Sequence, residues 1–467
     1  MAVGEESAIL TTKESEWEGR YREIADRLTS LGLRRGMLSA RARTPAEDSE
    51  LAKLETDLEV GNRAFQSFLD EMETSFRASK AGTEEVTTVR EAQGLMETLR
   101  DLGHGTVAVY TIFGEQGIRT ILITPDVQKG YLYQIPAAEL NKKILAFREA
   151  VRSPTSDPHP LAKELYDILV KPMEKDLEGV QAQTIMWSLD GALRYVPVAA
   201  LYDGQHFLVE RFRSVVFTPA SQSRIKDPAS REWRGLGLGV SLPHEGFQGL
   251  PNVPSELHAI IREGAKNPRG VLPGTLKLDG DFTKEELRTD LRQHYSIVHL
   301  ASHFDFVPGT DKNSFLLLGD GSRLTIEEFR NMPQVLQGVE LLTLSACDTA
   351  VGGEDADGKE VEGFAVLAQR QGAKAVVATL WAVADESTSL LMREFYRLRM
   401  SDQTTTKAEA LRQAQLALLT GKIKPSTAQP VSDRGVVPKG SQNSLKPLTD
   451  WSHPFYWAPF ILIGNWK

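Results

Sequence analysis

The sequence predicts an α/β protein, a mainly parallel sheet flanked by helices with a helical hairpin ahead of it. Two short apolar runs carry the first half of that expectation. Tyr295-Ser-Ile-Val-His-Leu-Ala-Ser-His303 and Glu340-Leu-Leu-Thr-Leu-Ser-Ala-Cys347 read as buried strands, each delivering a reactive side chain at its exit. Segments with helical spacing alternate with such runs through the second half of the chain, the pattern of strand–helix–strand units. The first 84 residues carry helical spacing alone.

Composition bounds the function. A chain of 467 residues has room for two or three domains, divided here as 1–84, 85–214 and 215–467. Hydrophobic residues at 41% and charged ones at 25% are ordinary for a soluble globular protein. A net charge of −9 gives no reason to expect nucleic acid as a direct partner. The N-terminus lacks a basic stretch followed by an apolar one, and no run of ~18 apolar residues occurs, so the expectation is a cytoplasmic protein with no membrane contact. One cysteine allows no internal disulfide and no thiolate cluster, and neither a metal nor a cofactor is expected.

Taken in order, Trp17, Tyr21, Ile24, Leu28 and Leu31 form one helical seam. A second helix starts at Thr44-Pro45-Ala46-Glu47, where threonine, proline and glutamate make a capping box, and Leu51, Leu54, Leu58, Phe65, Phe68, Leu69 and Met72 continue it. The two read as an antiparallel hairpin, either packed on its own domain or serving as a docking arm for a regulatory protein partner. A third capped helix follows, Thr88 with Glu91 and then Leu95, Met96 and Leu99.

Alternation takes over at Thr106–Phe113 and Ile118–Thr124, two strands joined by a turn with Gly114 and Gly117. Helices are expected at Ala138–Val151 and Leu161–Leu177, then a second hairpin of Thr184–Leu189 with Ala192–Val196. This part holds neither cysteine nor a Gly-x-Ser-x-Gly elbow, and it reads as structural. Gly235-Leu-Gly-Leu-Gly-Val240 is a glycine-rich strand, yet it lacks the full dinucleotide spacing, and Pro243 and Pro251 intervene before any helix.

Next come helices at Glu256–Glu263 and Lys284–Leu291, the His303 strand, and a hairpin at Ser314–Gly319 turning on Asp320-Gly321. After the Cys347 strand are a helix at Gly363–Gly372, a strand at Lys374–Trp381, helices at Glu386–Met400 and Lys407–Leu419, and a final strand at Phe460–Gly464. The stretch 421–450, rich in Pro, Ser, Gly and Lys, reads as a mobile loop.

A thiol attacks only as thiolate, so a catalytic cysteine needs an imidazole close by, and the imidazole can return the proton to the leaving amine. Of nine histidines, His303 is favoured because it stands at a strand exit. His299 lies deeper on the same strand and reads as a satisfied core histidine. Histidine precedes cysteine here at roughly the 50-residue separation of caspase-type enzymes, opposite to the order of papain-like peptidases and triad glutaminases. The caspase signature around cysteine is absent.

His299-Leu-Ala-Ser-His303, Leu344-Ser-Ala-Cys-Asp-Thr-Ala350, Glu362-Gly-Phe-Ala365, Gln371-Gly-Ala-Lys374, Leu380-Trp381 with Asp385, and His453-Pro-Phe-Tyr-Trp-Ala458 together resemble the CHAT domain, a caspase-like, separase-related cysteine peptidase family. The resemblance covers about residues 85–467. It implies a caspase-like fold preceded by a pseudo-peptidase α/β half, and a His303–Cys347 dyad cleaving a protein substrate. It also implies an oxyanion site made by the backbone N–H groups of Phe304 and Cys347. Phe304 stands where the family often has glycine, so its ring is expected to narrow the cleft. Related enzymes often select basic residues, which makes Asp348, Glu354, Asp355, Asp357 and Glu360 candidates for a substrate pocket; the bland reading is a solvated acidic loop. Partner binding through the hairpin is expected to order the 352–360 loop. The alternative to a peptidase is a catalytically silent scaffold of the same fold.

Overall fold

The computed structural model describes residues 43–76, 95–114, 117–230, 232–265, 267–306, 314–332, 334–345, 348–349, 359–381, 385–424 and 451–467, and scattered positions between 20 and 38. The chain divides into two compact units, one of residues 1–134 with 169–186 and one of residues 135–168 with 187–467.

In the first unit a long helix spans Pro45–Phe76. The predicted capping box is present at its start. The Thr44 N–H donates to Glu47 Oε2 (2.9 Å) and the Glu47 N–H donates to Thr44 Oγ1 (3.4 Å). Arg34, in the helical residues before it, pairs with Glu50 at 2.7 Å. Trp17, Tyr21, Leu28 and the Thr88 cap lie outside the described residues. The predicted hairpin forms as β1 (Thr106–Gly114) and β2 (Gly117–Ile123), antiparallel, with Gly114 opposite Gly117. A third strand that the sequence did not announce, β3 (Gln128–Tyr133), adds to β2, and β4 (Thr184–Ser188) flanks β1.

The second unit opens with the helix Ala137–Arg152. The single helix expected over Leu161–Leu177 is instead the helix His159–Leu169, then, in residues that belong to the first unit, a 3₁₀ turn at Lys171–Met173 and a short helix at Glu174–Gly179. Pro172 in the turn lacks the N–H that a continuous helix needs. The second predicted hairpin is also corrected. Gly191–Tyr195 is a 3₁₀ helix, with Gly191 at φ +52° and its N–H held by Asp190 Oδ1 at 2.8 Å. That turn, followed by Pro197, removes the ladder a return strand would require.

The unit's sheet comprises β5 (Arg213–Val216), β6 (Gly235–Gly239), β7 (Ile261–Arg262), β8 (Leu272–Leu278), β9 (Ile297–Ala301), β13 (Leu341–Leu344), β15 (Ala375–Thr379) and β16 (Phe460–Gly464). Their order is β5-β16-β15-β13-β9-β6-β8-β7. Only β15 with β16 is antiparallel; the other described pairs run parallel. Helices Val253–Ile260, Lys284–Leu291, Lys359–Arg370, Asp385–Ser401 and Lys407–Leu419 flank it. Every residue of β9, β13 and β15 is buried, as expected of parallel strands covered on both faces. Full burial of each Ile, Leu or Val there contributes about 1.5–3 kcal/mol.

A smaller sheet sits beyond the exits of β9 and β13. Its strands are β10 (Phe304–Phe306), β11 (Phe315–Leu317), β12 (Arg323–Thr325) and β14 (Asp348–Thr349), in the order β12-β11-β10-β14. The predicted hairpin on Asp320-Gly321 is thus β11 with β12. Residues 425–450, most of the stretch read as a mobile loop, are outside the described ones.

Candidate active site

β9 and β13 are neighbours in register, with Ile297 opposite Leu341 and Leu300 opposite Leu344. The pairing continues past both strand ends. The Ser345 N–H donates to the Leu300 carbonyl at 2.8 Å. Three residues on, β10 and β14 pair in parallel, with Asp305 opposite Asp348 and Phe306 opposite Thr349. His303 lies between these two registered stretches on one chain segment. Cys347 lies between them on the other in sequence, and itself falls outside the described residues.

The segment carrying His303 is pinned by backbone and side chain. Ser302 Oγ donates to the Leu317 carbonyl (2.6 Å), and the Leu317 N–H donates to the His303 carbonyl (2.9 Å). The imidazole is oriented from the loop after β6. Its Nε2 meets the Gln248 carbonyl at 2.8 Å, and the Phe247 ring lies 5.1 Å from it, centroid to centroid. A carbonyl only accepts, so Nε2 carries the proton of this contact, and in a neutral ring the lone pair falls on Nδ1. Under this cover His303 is 5% exposed. Gln248 contributes through its backbone, which is why no sequence signal announces it.

Below the strand exits is a buried polar network that the sequence reading reached only in part. His299 is a satisfied core histidine, as its position on β9 suggested. Its Nε2 meets Glu256 Oε1 at 3.1 Å, and its Nδ1 meets the Tyr396 hydroxyl at 3.1 Å. Ser345 Oγ donates to the same Glu256 Oε1 at 3.1 Å, and Thr343 Oγ1 bonds the Tyr396 hydroxyl at 2.7 Å. All but Tyr396 are polar residues that a hydrophobicity count would pass over, and the Glu256 and His299 side chains have no exposed surface. Burial pushes the Tyr396 phenol well above its usual range, so it remains a neutral donor and acceptor.

Glycines in β6 make room for the helix that carries Glu256. A Cβ on Gly239 would lie 2.5 Å from Leu257 Cδ1 and 2.7 Å from Val253 Cγ1; one on Gly237 would lie 2.8 Å from Ile261 Cγ1. Real carbon atoms do not approach so closely. The glycine-rich strand therefore serves close helix–sheet packing, and Gly237 stands directly opposite His299.

The remaining sequence-singled residues divide as follows. Phe304 does not narrow a cleft; it is 7% exposed and its ring packs edge-on to Phe364 at 5.0 Å in the core, because alternation along β10 turns it inward. Asp348 lies in β14. Glu354, Asp355 and Asp357 are outside the described residues, and Glu360 falls in the Lys359–Arg370 helix. Other motif residues are structural. His453 caps the Pro454–Trp457 helix through Phe455 N–H (3.0 Å) and donates from Nε2 to the Ser156 carbonyl (2.9 Å), and burial holds its imidazole below the usual range. Trp381 Nε1 donates to the Phe455 carbonyl (3.2 Å) and Gln371 Nε2 to the Arg330 carbonyl (2.8 Å). Among the described residues no three His, Cys, Asp or Glu side chains converge as a metal site, and no helix is long and apolar enough to cross a membrane.

Solved structures resemble this chain to differing degrees. A chain of the Saccharomyces cerevisiae separase–securin complex at 3.0 Å resolution is similar with a TM-score of 0.50 and 10% identity, over 96% of this chain and 40% of that one. The same complex at 2.6 Å resolution gives a TM-score of 0.49 and 11% identity, over 91% and 34%. A complex of Porphyromonas gingivalis RgpB pro- and mature domains gives 0.35 and 9%, over 70% and 76%. This chain thus spans about two fifths of the first of these. No curated protein matches it. The mostly parallel helix-flanked sheet is of the caspase-like α/β class. The family model for the CHAT domain matches residues 159–465, and the chain belongs to that family.

Proposed function

We propose that this protein is a cysteine endopeptidase with His303 and Cys347 as its dyad, cleaving a specific protein partner. The observation that carries the reading is the double register: Leu300 opposite Leu344 before the two residues, and Asp305 opposite Asp348 after them. Chain segments held together at both ends bring their middles within reach of one another. The Gln248 contact adds a reason for His303 to act as base through Nδ1.

In this reading Nδ1 takes the Cys347 proton, and the thiolate sulfur bonds to the carbonyl carbon of the scissile peptide. The oxyanion is met by the N–H groups of Phe304 and Cys347. Collapse breaks the C–N bond, and the imidazolium returns its proton to the departing amine. Water then cleaves the thioester, giving the carboxylate and the free thiol. Asp348, Glu354, Asp355, Asp357 and Glu360 would favour a basic residue beside the cut. Control by a protein partner through the N-terminal helices belongs to the same proposal, and the matched separase chain is itself in complex with securin. We place this activity in the cytoplasm.

A second reading, a peptidase-like interaction module without turnover, is favoured by the 5% exposure of His303 beneath Phe247. Comparing new protein N-termini in cells carrying the wild type or Cys347→Ala separates the two. Termini present only with the wild type support the peptidase; identical sets of termini favour the module.

A further inference from the structure

We infer that Glu256 is a positioning residue for the nucleophile, acting through Ser345, and that the stretch from Gln248 to Glu256 braces both halves of the dyad. The inference rests on the peptidase reading above. Ser345 stands two residues before Cys347 and is held twice: its N–H donates to the Leu300 carbonyl (2.8 Å) and its Oγ to Glu256 Oε1 (3.1 Å). The same carboxylate oxygen meets His299 Nε2 at 3.1 Å, on the strand that leads to His303. Eight positions earlier in the chain, the Gln248 carbonyl meets His303 Nε2 at 2.8 Å. One short segment thus touches His303 directly, holds the middle of β9 through His299 and holds the exit of β13 through Ser345.

Stability alone does not explain this arrangement. A carboxylate and an imidazole with no exposed surface lose their hydration, and apolar side chains of the same volume would commonly serve the fold as well or better. The chain also gives up side chains at Gly237 and Gly239 of β6, where a Cβ would press on Leu257, Val253 and the adjoining Ile261, so that the Glu256 helix can come close. A network in which every partner is hydrogen-bonded fixes one geometry. Among the described residues, the titratable groups facing Glu256 include His299 on β9 and Tyr396 on the Asp385–Ser401 helix, reached through His299.

Cys347 is the only cysteine, so its alkylation by iodoacetamide reads thiolate formation at one site, with no need of a substrate. The rate is followed against pH for the full-length wild type, Ser345→Ala, Glu256→Gln, Glu256→Ala and His303→Ala, with thermal midpoints beside it. A displacement of about 1 Å between reacting groups costs on the order of a hundredfold, so Ser345→Ala should slow neutral-pH alkylation by about tenfold or more while rates in alkali stay near wild type. Glu256→Gln keeps the acceptor oxygen and should restore the wild-type profile, whereas Glu256→Ala should not. Should Glu256→Ala fail to fold, Ser345→Ala, which deletes a single hydroxyl, decides. A Ser345→Ala profile superimposable on the wild type overturns the brace, as does a Glu256→Gln profile as slow as that of Ser345→Ala. His303→Ala separates the two levels: an unshifted profile there sinks the dyad, while a shift there without one in Ser345→Ala sinks the brace alone.

Discussion

Replacing Lys407 by methionine should stabilise the protein in mildly acid solution and lose that effect in alkali. Lys407 opens the Lys407–Leu419 helix with its side chain 1% exposed, and its Nζ has no hydrogen-bond partner among the described residues. Glu340 Oε2 stands 3.9 Å away, but Glu340 already pairs with Lys374 at 2.5 Å. Burial lowers the Lys407 ammonium most, Glu340 opposes the fall, and Arg399 and Lys374 add to it, leaving it at about 7 instead of 10.5. The unfolded chain therefore binds more protons than the folded one between those values, and stability rises with pH across that window. The burden is full below about 7, near 5 kcal/mol as an upper figure, and vanishes above the unfolded value. Methionine keeps the apolar stem without the charge, so Lys407→Met should gain about 2–4 kcal/mol near pH 6 and almost nothing near pH 10.5. Urea denaturation at several pH values, with the slope checked for constancy, reads this directly. Stability curves that run parallel across pH, or a variant weaker than the wild type at the acid end, would refute the reasoning.

Three further substitutions probe the packing and the elements around the dyad. Gly239→Ala forces a carbon against Leu257, Val253 and Leu278 and should cost about 1–3 kcal/mol, while Gly280→Ala, with nothing within 4 Å, should be close to neutral; equal denaturation midpoints for the two would contradict the packing argument. Phe247→Ala removes the ring beside His303 and leaves the Gln248 carbonyl in place. It should slow neutral-pH alkylation of Cys347 by about tenfold through looser imidazole placement, and a rate equal to the wild type would show that the ring is cover only.

What the sequence carried plainly was local. The Thr44–Glu47 capping box and the β1–β2 hairpin depend on neighbours in sequence, and they stand where the pattern put them. Strands that depend on distant partners were missed. Leu272–Leu278 contains Pro273 and Gly274, which argue against a strand, yet it pairs with β6 because a Cβ at Gly274 would meet the Gly235 carbonyl oxygen at 1.9 Å and none is there. Tertiary packing decided that segment.

The site divides the same way. The place of His303 past a strand exit and the core position of His299 were legible from the strand pattern, since a parallel strand's exit faces a crevice and its middle does not. Glu256 reads as an ordinary acid in a helix's first turn until the glycines of β6 let that helix approach. Gln248 works through a carbonyl that every residue possesses. The Phe304 ring was expected toward the cleft from a family comparison at one position, and strand alternation sends it into the core instead.

In the proposed peptidase, His303 and Cys347 act as one catalytic unit. The most direct test of this is the turnover of a protein cut by the wild type, measured for His303→Ala, Cys347→Ala and the double variant under identical conditions. Groups that work as a pair give grossly non-additive losses, so each single variant should lose nearly all turnover and the double should be little worse than either. Losses that multiply, or substantial cleavage by Cys347→Ala, would contradict it.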